Sequence, residues 1–154
     1  MYNTYIREMY VNNSLSRPGG FTCCDKPVEL NKVKTPMYFL SAIEDHIAPW
    51  KTTFLGTDLV GGDVEFVLGG SGHIAGVINP PAKNKRNYWT DGEMGQGADH
   101  WLETATDHPG SWWNHWHQWL DQHDSKQVPA RQIGANTEFK EIVPAPGDYV
   151  RVRL

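Results

Sequence analysis

Two short apolar runs, "MYFLSA" (37–42) and "VEFVLG" (64–69), have the length and composition of buried strands, and a helical stretch over about 49–60 separates them. Pro36 bounds the first run, Pro49 suits the first turn of the helix, and Gly61 and Gly62 stop it. A strand–helix–strand unit joins parallel strands through a right-handed crossover, so the chain is expected to be α/β. Both strands then end on one edge of the sheet, about 4.8 Å apart. In open α/β sheets that carboxyl edge is where ligands bind.

Asp45 lies just past the end of the first strand and His73 just past the second. The parallel pairing therefore sets a carboxylate and an imidazole over adjacent strand ends. His73 sits in "LGGSGHIAGVINPPAKN" (68–84), where glycines permit tight turns and close approach, so its ring is presented rather than packed away. A carboxylate that orients an imidazole, whose other nitrogen takes a proton from a nucleophile, forms two members of a triad. In α/β-hydrolase folds the acid precedes the histidine, as Asp45 precedes His73. The plainer alternative has Asp45 capping the helix that follows and His73 as an ordinary loop residue.

A triad needs a nucleophile on a sharp G-x-(S/C)-x-G turn. Ser71 follows Gly69 at the right distance, but the closing position is His73 itself, and Cys23 and Cys24 have no glycines in register. The nucleophile is absent from this sequence. His46, beside Asp45, is a further candidate to meet a substrate. So are Lys83, Lys85 and Arg86 in "NPPAKNKRNYW", which has the character of a loop near the presumed site and suits a phosphorylated substrate, or else is a solvated face. No metal site is expected. His115 and His117 point to different faces of a helix, and no cysteine or acidic set completes a tetrahedral site.

The 154 residues suit one domain, and the net charge of −4 argues against a nucleic-acid footprint. No apolar run reaches the ~20 residues of a membrane span, and no signal peptide is apparent. Adjacent cysteines make an awkward disulfide, so a cytoplasmic setting is expected. Tyr2, Tyr5, Ile6 and Met9 predict a helix over 2–13, and a short helix is expected over 98–105. "DHPGSWWNHWHQWLDQH" predicts a longer helix with Ser111 as N-cap. Its Trp112, Trp116 and Trp119 recur at helical spacing, flanked by Trp113 and Leu120, as a stripe that is either core or an exposed surface for an apolar polymer or carbohydrate. From Ser125 the sequence is polar until "APGDYVRVRL", whose alternation suggests a terminal strand or extended arm. Residues 1–124 are thus expected to form the catalytic part and 125–154 a tail.

"EDHIAPW" (44–50), "GGSGHIAGVINPPAKNKRNYWT" (69–90) and "HPGSWW" (108–113) closely resemble the C-terminal part of class I polyhydroxyalkanoate synthases, the poly-3-hydroxybutyrate polymerases. The similarity extends to "REMYVNNSL" and "VPAPGDYV", and so covers almost the whole chain. It implies the C-terminal portion of an α/β-hydrolase-like fold, with the last parallel strands, crossover helices and a Trp-rich helical tail. It implies polymerisation of hydroxyacyl groups from coenzyme A thioesters with release of coenzyme A and no further cofactor, on a cysteine in a G-x-C-x-G turn. Asp45 matches the family's catalytic aspartate, which is often assigned to activate the 3-hydroxyl of the incoming unit. His73 matches the histidine that generates the thiolate. The resemblance also implies association with polymer granules and a homodimer when complete. Because the nucleophile turn, the preceding strands and the oxyanion hole are absent, the isolated chain is expected to be inactive and poorly soluble. Competing expectations are a thioesterase or esterase of the same broad fold, or a non-catalytic fragment that adheres to granules through its tryptophans.

Overall fold

In the computed structural model, residues 1–132, 134 and 138–153 are described. The chain begins with a short α-helix, α1 (Tyr2–Thr4), that continues as a π-helix over Tyr5–Val11. It ends two residues earlier than the periodicity predicts, because Asn13 adopts a left-handed conformation (φ 46°). A two-stranded hairpin unforeseen in the sequence follows, β1 (Phe21–Cys23) with β2 (Lys26–Val28). Cys24 and Asp25, both at positive φ, form its turn, and both cysteines are free and exposed.

The expected crossover unit is present. β3 (Met37–Ala42) and β4 (Val64–Gly69) pair in parallel from Met37↔Val64 to Ala42↔Gly69. They are joined by α2 (Trp50–Phe54), which tightens into a 3-10 turn over Leu55–Leu59. Gly56, Thr57 and Asp58 are weak helix formers, and the Thr57 hydroxyl bonds the Phe54 carbonyl at 2.7 Å, closing the tighter turn.

Beyond His73 the sheet departs from the expectation of parallel strands alone. Asn87–Thr90 (β5), expected as loop, pairs antiparallel with β4. The helix α3 (Ala98–Thr104) then leads to β6 (Thr106–Pro109), which pairs antiparallel with β5 and gives the order β3-β4-β5-β6. The sheet is therefore mixed. Four-residue strands are too short to show a period, and Pro109 argues against a strand unless, as here, it lies on an edge. α4 (Trp112–His123) follows, with the Ser111 side chain accepting from the Trp113 N–H as expected. The described residues of "APGDYVRVRL" form a 3-10 turn at Tyr149–Arg151 instead of a strand, and Leu154 lies outside the described residues. Tyr149, Val150 and Val152 are exposed, and among the described residues neither sheet includes them.

Side-chain alternation gives the sheet two covered faces. On one, Phe39, Phe66, Leu68 and Trp89 pack with Trp50 and Phe54 of the crossover and Trp101 of α3. Phe66 meets Phe54 and Trp101 edge-on, with ring centroids 4.9 and 4.8 Å apart. On the other face α4 lies over Tyr38, whose ring is 6.2 Å from Trp112 and 5.5 Å from Trp119. The Tyr38 hydroxyl bonds His115 Nδ1 at 3.0 Å. Burial raises the Tyr38 phenol and the Glu65 carboxyl and lowers His115, which favours the neutral forms beneath the helix. The tryptophan stripe is thus half core: Trp112 is buried, Trp113 and Trp119 are half-buried, and Trp116 and Leu120 reach solvent. No helix of the described residues is long and apolar enough to cross a membrane.

Candidate active site

The parallel pair delivers Asp45 and His73 to one place, as the strand ends predict. The ladder runs on past β3 and β4: the Ile43 N–H donates to Gly69 O at 2.9 Å and the Glu44 N–H to Ser71 O at 3.1 Å. The residues before Asp45 and His73 are therefore held as an extension of the sheet. His73 Nδ1 lies 2.7 Å from Asp45 Oδ2. Asp45 Oδ1 accepts the N–H groups of Ile47 and Ala48, each at 2.9 Å. Asp45 thus caps the turn over 45–48 and not the helix α2, whose N-cap is Pro49 with no side-chain cap, so the plainer reading is corrected on this point.

These contacts decide the protonation pattern. The Ala48 N–H, then the His73 ring and the Ile47 N–H, hold the Asp45 carboxyl at about 2, well below its ordinary 3.8. An ionised carboxylate only accepts, so His73 Nδ1–H is the donor and a neutral ring carries its lone pair on Nε2. The Asp45 side chain is 8 % exposed and that of His73 45 %, so the base faces outward while its orienting acid does not.

A carboxyl lowered in the fold stabilises it fully above the unfolded value of 3.8, and the contribution is lost as pH falls from there through about 2. Thermal melts of the chain and its Asp45→Asn variant should keep a constant gap near neutrality and converge over that acid interval. A gap undiminished at the acid end would contradict the assignment.

A second set of polar residues fixes the segment between His73 and β5. The Asn79 side chain donates to Lys85 O at 2.7 Å, and the Ser111 hydroxyl donates to Asn79 O. Asn84 Oδ1 accepts the Ser111 N–H at 2.9 Å. Gly110 is required here, because it adopts φ +101° and a Cβ on it would stand 2.4 Å from Asn84 Oδ1. Gly110→Ala should therefore cost about 1–3 kcal/mol in denaturant unfolding, from backbone strain alone. An unchanged midpoint would refute the strain assigned to this conformation.

The other sequence candidates are not drawn to the pair. His46 is exposed, and no hydrogen bond joins its ring to the described residues. Lys83, Lys85 and Arg86 are exposed, and among the described residues no carboxylate pairs with them. Their loop does share the pair's edge of the sheet, since the Gly70 N–H donates to Asn87 O at 2.8 Å. Neither Cys23 nor Cys24 bonds His73.

This geometry can be set beside known proteins. Over 152 residues, 99 % of the chain, it is 47 % identical to a Rhizobium meliloti protein named poly(3-hydroxyalkanoate) polymerase subunit PhaC. It is 44 % identical over 153 residues, again 99 % of the chain, to the protein of that name from Cupriavidus necator. A poly(3-hydroxyalkanoate) polymerase of Methylorubrum extorquens is 42 % identical over 153 residues, or 99 % of the chain. Over almost its whole length the chain is similar to these poly(3-hydroxyalkanoate) polymerases. It matches their C-terminal part and spans about a quarter of their length, 24 %, 26 % and 25 % respectively. No family model matches it.

Within this segment, sequence reasoning found the Asp–His pair but missed what holds it. Asn79, Asn84 and the start of α4 carried only local signals: turn-forming residues and an N-cap. Their mutual bonds are tertiary and have no sequence period.

Proposed function

We propose that the chain supplies the acid–base half of an acyltransferase that polymerises (R)-3-hydroxyacyl groups from their coenzyme A thioesters. The observation that carries this reading is the 2.7 Å Asp45–His73 hydrogen bond at the carboxyl edge of the sheet, with Nε2 left outward. The remainder of the site, in an α/β-hydrolase-like arrangement, comes from the part of the polymerase that precedes this segment. A cysteine there gives its proton to His73 Nε2, and its thiolate attacks the thioester carbonyl. The carbon–sulfur bond to coenzyme A breaks, and the imidazolium returns the proton to the departing thiolate.

Chain extension needs a second proton transfer, from the 3-hydroxyl of the next unit. The resemblance implied Asp45 for this task, but His73 fits it better. Both Asp45 oxygens already accept hydrogen bonds, and a carboxylate whose acid form titrates near 2 is a weak base. His73 thus serves both steps, with Asp45 orienting it and balancing its charge.

The product separates this reading from a thioesterase: polyester and free coenzyme A against free 3-hydroxy acid. The complete polymerase should release coenzyme A from 3-hydroxybutyryl-CoA and accumulate polymer, while this chain alone should release none. Turnover by the isolated chain would place the nucleophile within it and overturn the proposal.

A further inference from the structure

We propose that Trp112 and Trp113 are positioning residues for His73, acting through their indole N–H groups. The inference rests on His73 being the base proposed above. His73 lies at the head of a compact turn: the Gly76 N–H donates to Gly72 O and the Ile78 N–H to Ile74 O, both at 2.8 Å. Upstream, the turn is anchored to the sheet through Ser71 O and the Gly70 N–H. Downstream, no strand or helix of the described residues continues from it until β5.

The first turn of α4 supplies that second anchor. Trp112 Nε1–H is shared between Gly76 O at 3.1 Å and Val77 O at 3.2 Å, and Trp113 Nε1–H donates to Val77 O at 2.9 Å. Two consecutive indoles thus converge on two consecutive carbonyls, three and four residues after His73. Trp112 is buried at 8 % exposure, and its ring is wedged between Tyr38 and Trp116. The donor cannot swing away without emptying that packing. The turn itself is packed closely enough to transmit the restraint, because a Cβ on Gly76 would stand 2.7 Å from the Ala42 Cβ. The base is therefore held from the sheet on one side and from α4 on the other. Ser111, as N-cap and as donor to Asn79 O, fixes where α4 begins and hence where the two indoles fall.

The inference accounts for the adjacency of Trp112 and Trp113, which the helical stripe does not explain. A stripe residue recurs every three or four positions, whereas neighbours face different directions. Here the side chains diverge and the N–H groups meet at one carbonyl.

The test uses the complete polymerase with Trp112 and Trp113 each replaced by phenylalanine. In a second variant both are replaced by benzothienylalanine, whose sulfur removes the donor while preserving the ring. Misplacing a base by a fraction of an ångström should lower kcat for coenzyme A release by roughly 10- to 100-fold and leave KM within about twofold. Gln118→Ala, on the exposed side of the same helix, should leave both constants unchanged. If the benzothienylalanine variant keeps wild-type kcat, the inference is overturned. If its KM rises in step, or its melting temperature collapses, the indoles are structural only, which also overturns it. A His73→Ala variant run alongside separates the two claims: full turnover there would remove the underlying reading rather than the clamp.

Discussion

Replacing His73 with alanine in the complete polymerase is expected to stop polymer synthesis, lowering coenzyme A release by about 10³- to 10⁴-fold. The loss should be chemical rather than structural. The ring is nearly half exposed and makes one side-chain hydrogen bond, to Asp45, whose other oxygen stays bound to two backbone N–H groups. The melting temperature should therefore shift by only a few degrees, as for a partly exposed site. Steady-state release of coenzyme A, measured beside a thermal melt, checks both parts. Turnover within about tenfold of wild type would show that another group takes the proton.

Trp101→Ala should act in the opposite way, on the fold and at a distance from the pair. Trp101 is 1 % exposed, meets Phe66 edge-on at 4.8 Å and 87°, and lies 6.0 Å from Phe54. It ties α3 to the crossover and to β4, the strand that leads to His73. Truncating a buried indole removes its transfer energy and leaves a cavity, together about 3–5 kcal/mol. Against a domain stability on the order of 5–15 kcal/mol, that is enough to unfold a large fraction of the protein at moderate denaturant. Urea unfolding of the complete polymerase should show a clearly lowered midpoint. A change below about 1 kcal/mol would mean that this aromatic cluster does not carry the core.

The contrast between these two residues explains what could be read in advance. The parallel pair β3–β4, its crossover and the Ser111 cap follow from local pattern: two apolar runs of strand length, prolines and glycines as punctuation, and a serine before a helical period. Once the strands are parallel, the meeting of Asp45 and His73 is a matter of topology, and it was legible. The antiparallel strands β5 and β6 were not, because "NYWT" and "TDHP" are too short for a period of two and the second contains a proline. The fate of the tryptophans was half legible. Helical spacing predicts a stripe, and contact with Tyr38 follows for Trp112 and Trp119. That two indole N–H groups would find carbonyls at residues 76 and 77 depends on how α4 crosses the sheet, and no local pattern encodes that.

The likeness to poly(3-hydroxyalkanoate) polymerases was legible through long matching blocks rather than through spacing. An Asp–His pair at strand ends is common to many α/β chemistries. The long block around His73 matched one of them.

The most direct test of the central claim is the first chemical step alone. Complete polymerase is mixed with 3-hydroxybutyryl-CoA in a single-turnover experiment, and intact mass is followed for the acyl adduct on the enzyme as coenzyme A is released. The account predicts an adduct on a cysteine outside this chain, formed with the coenzyme A burst in wild type and suppressed in His73→Ala. An adduct that forms at the wild-type rate without His73 would contradict it.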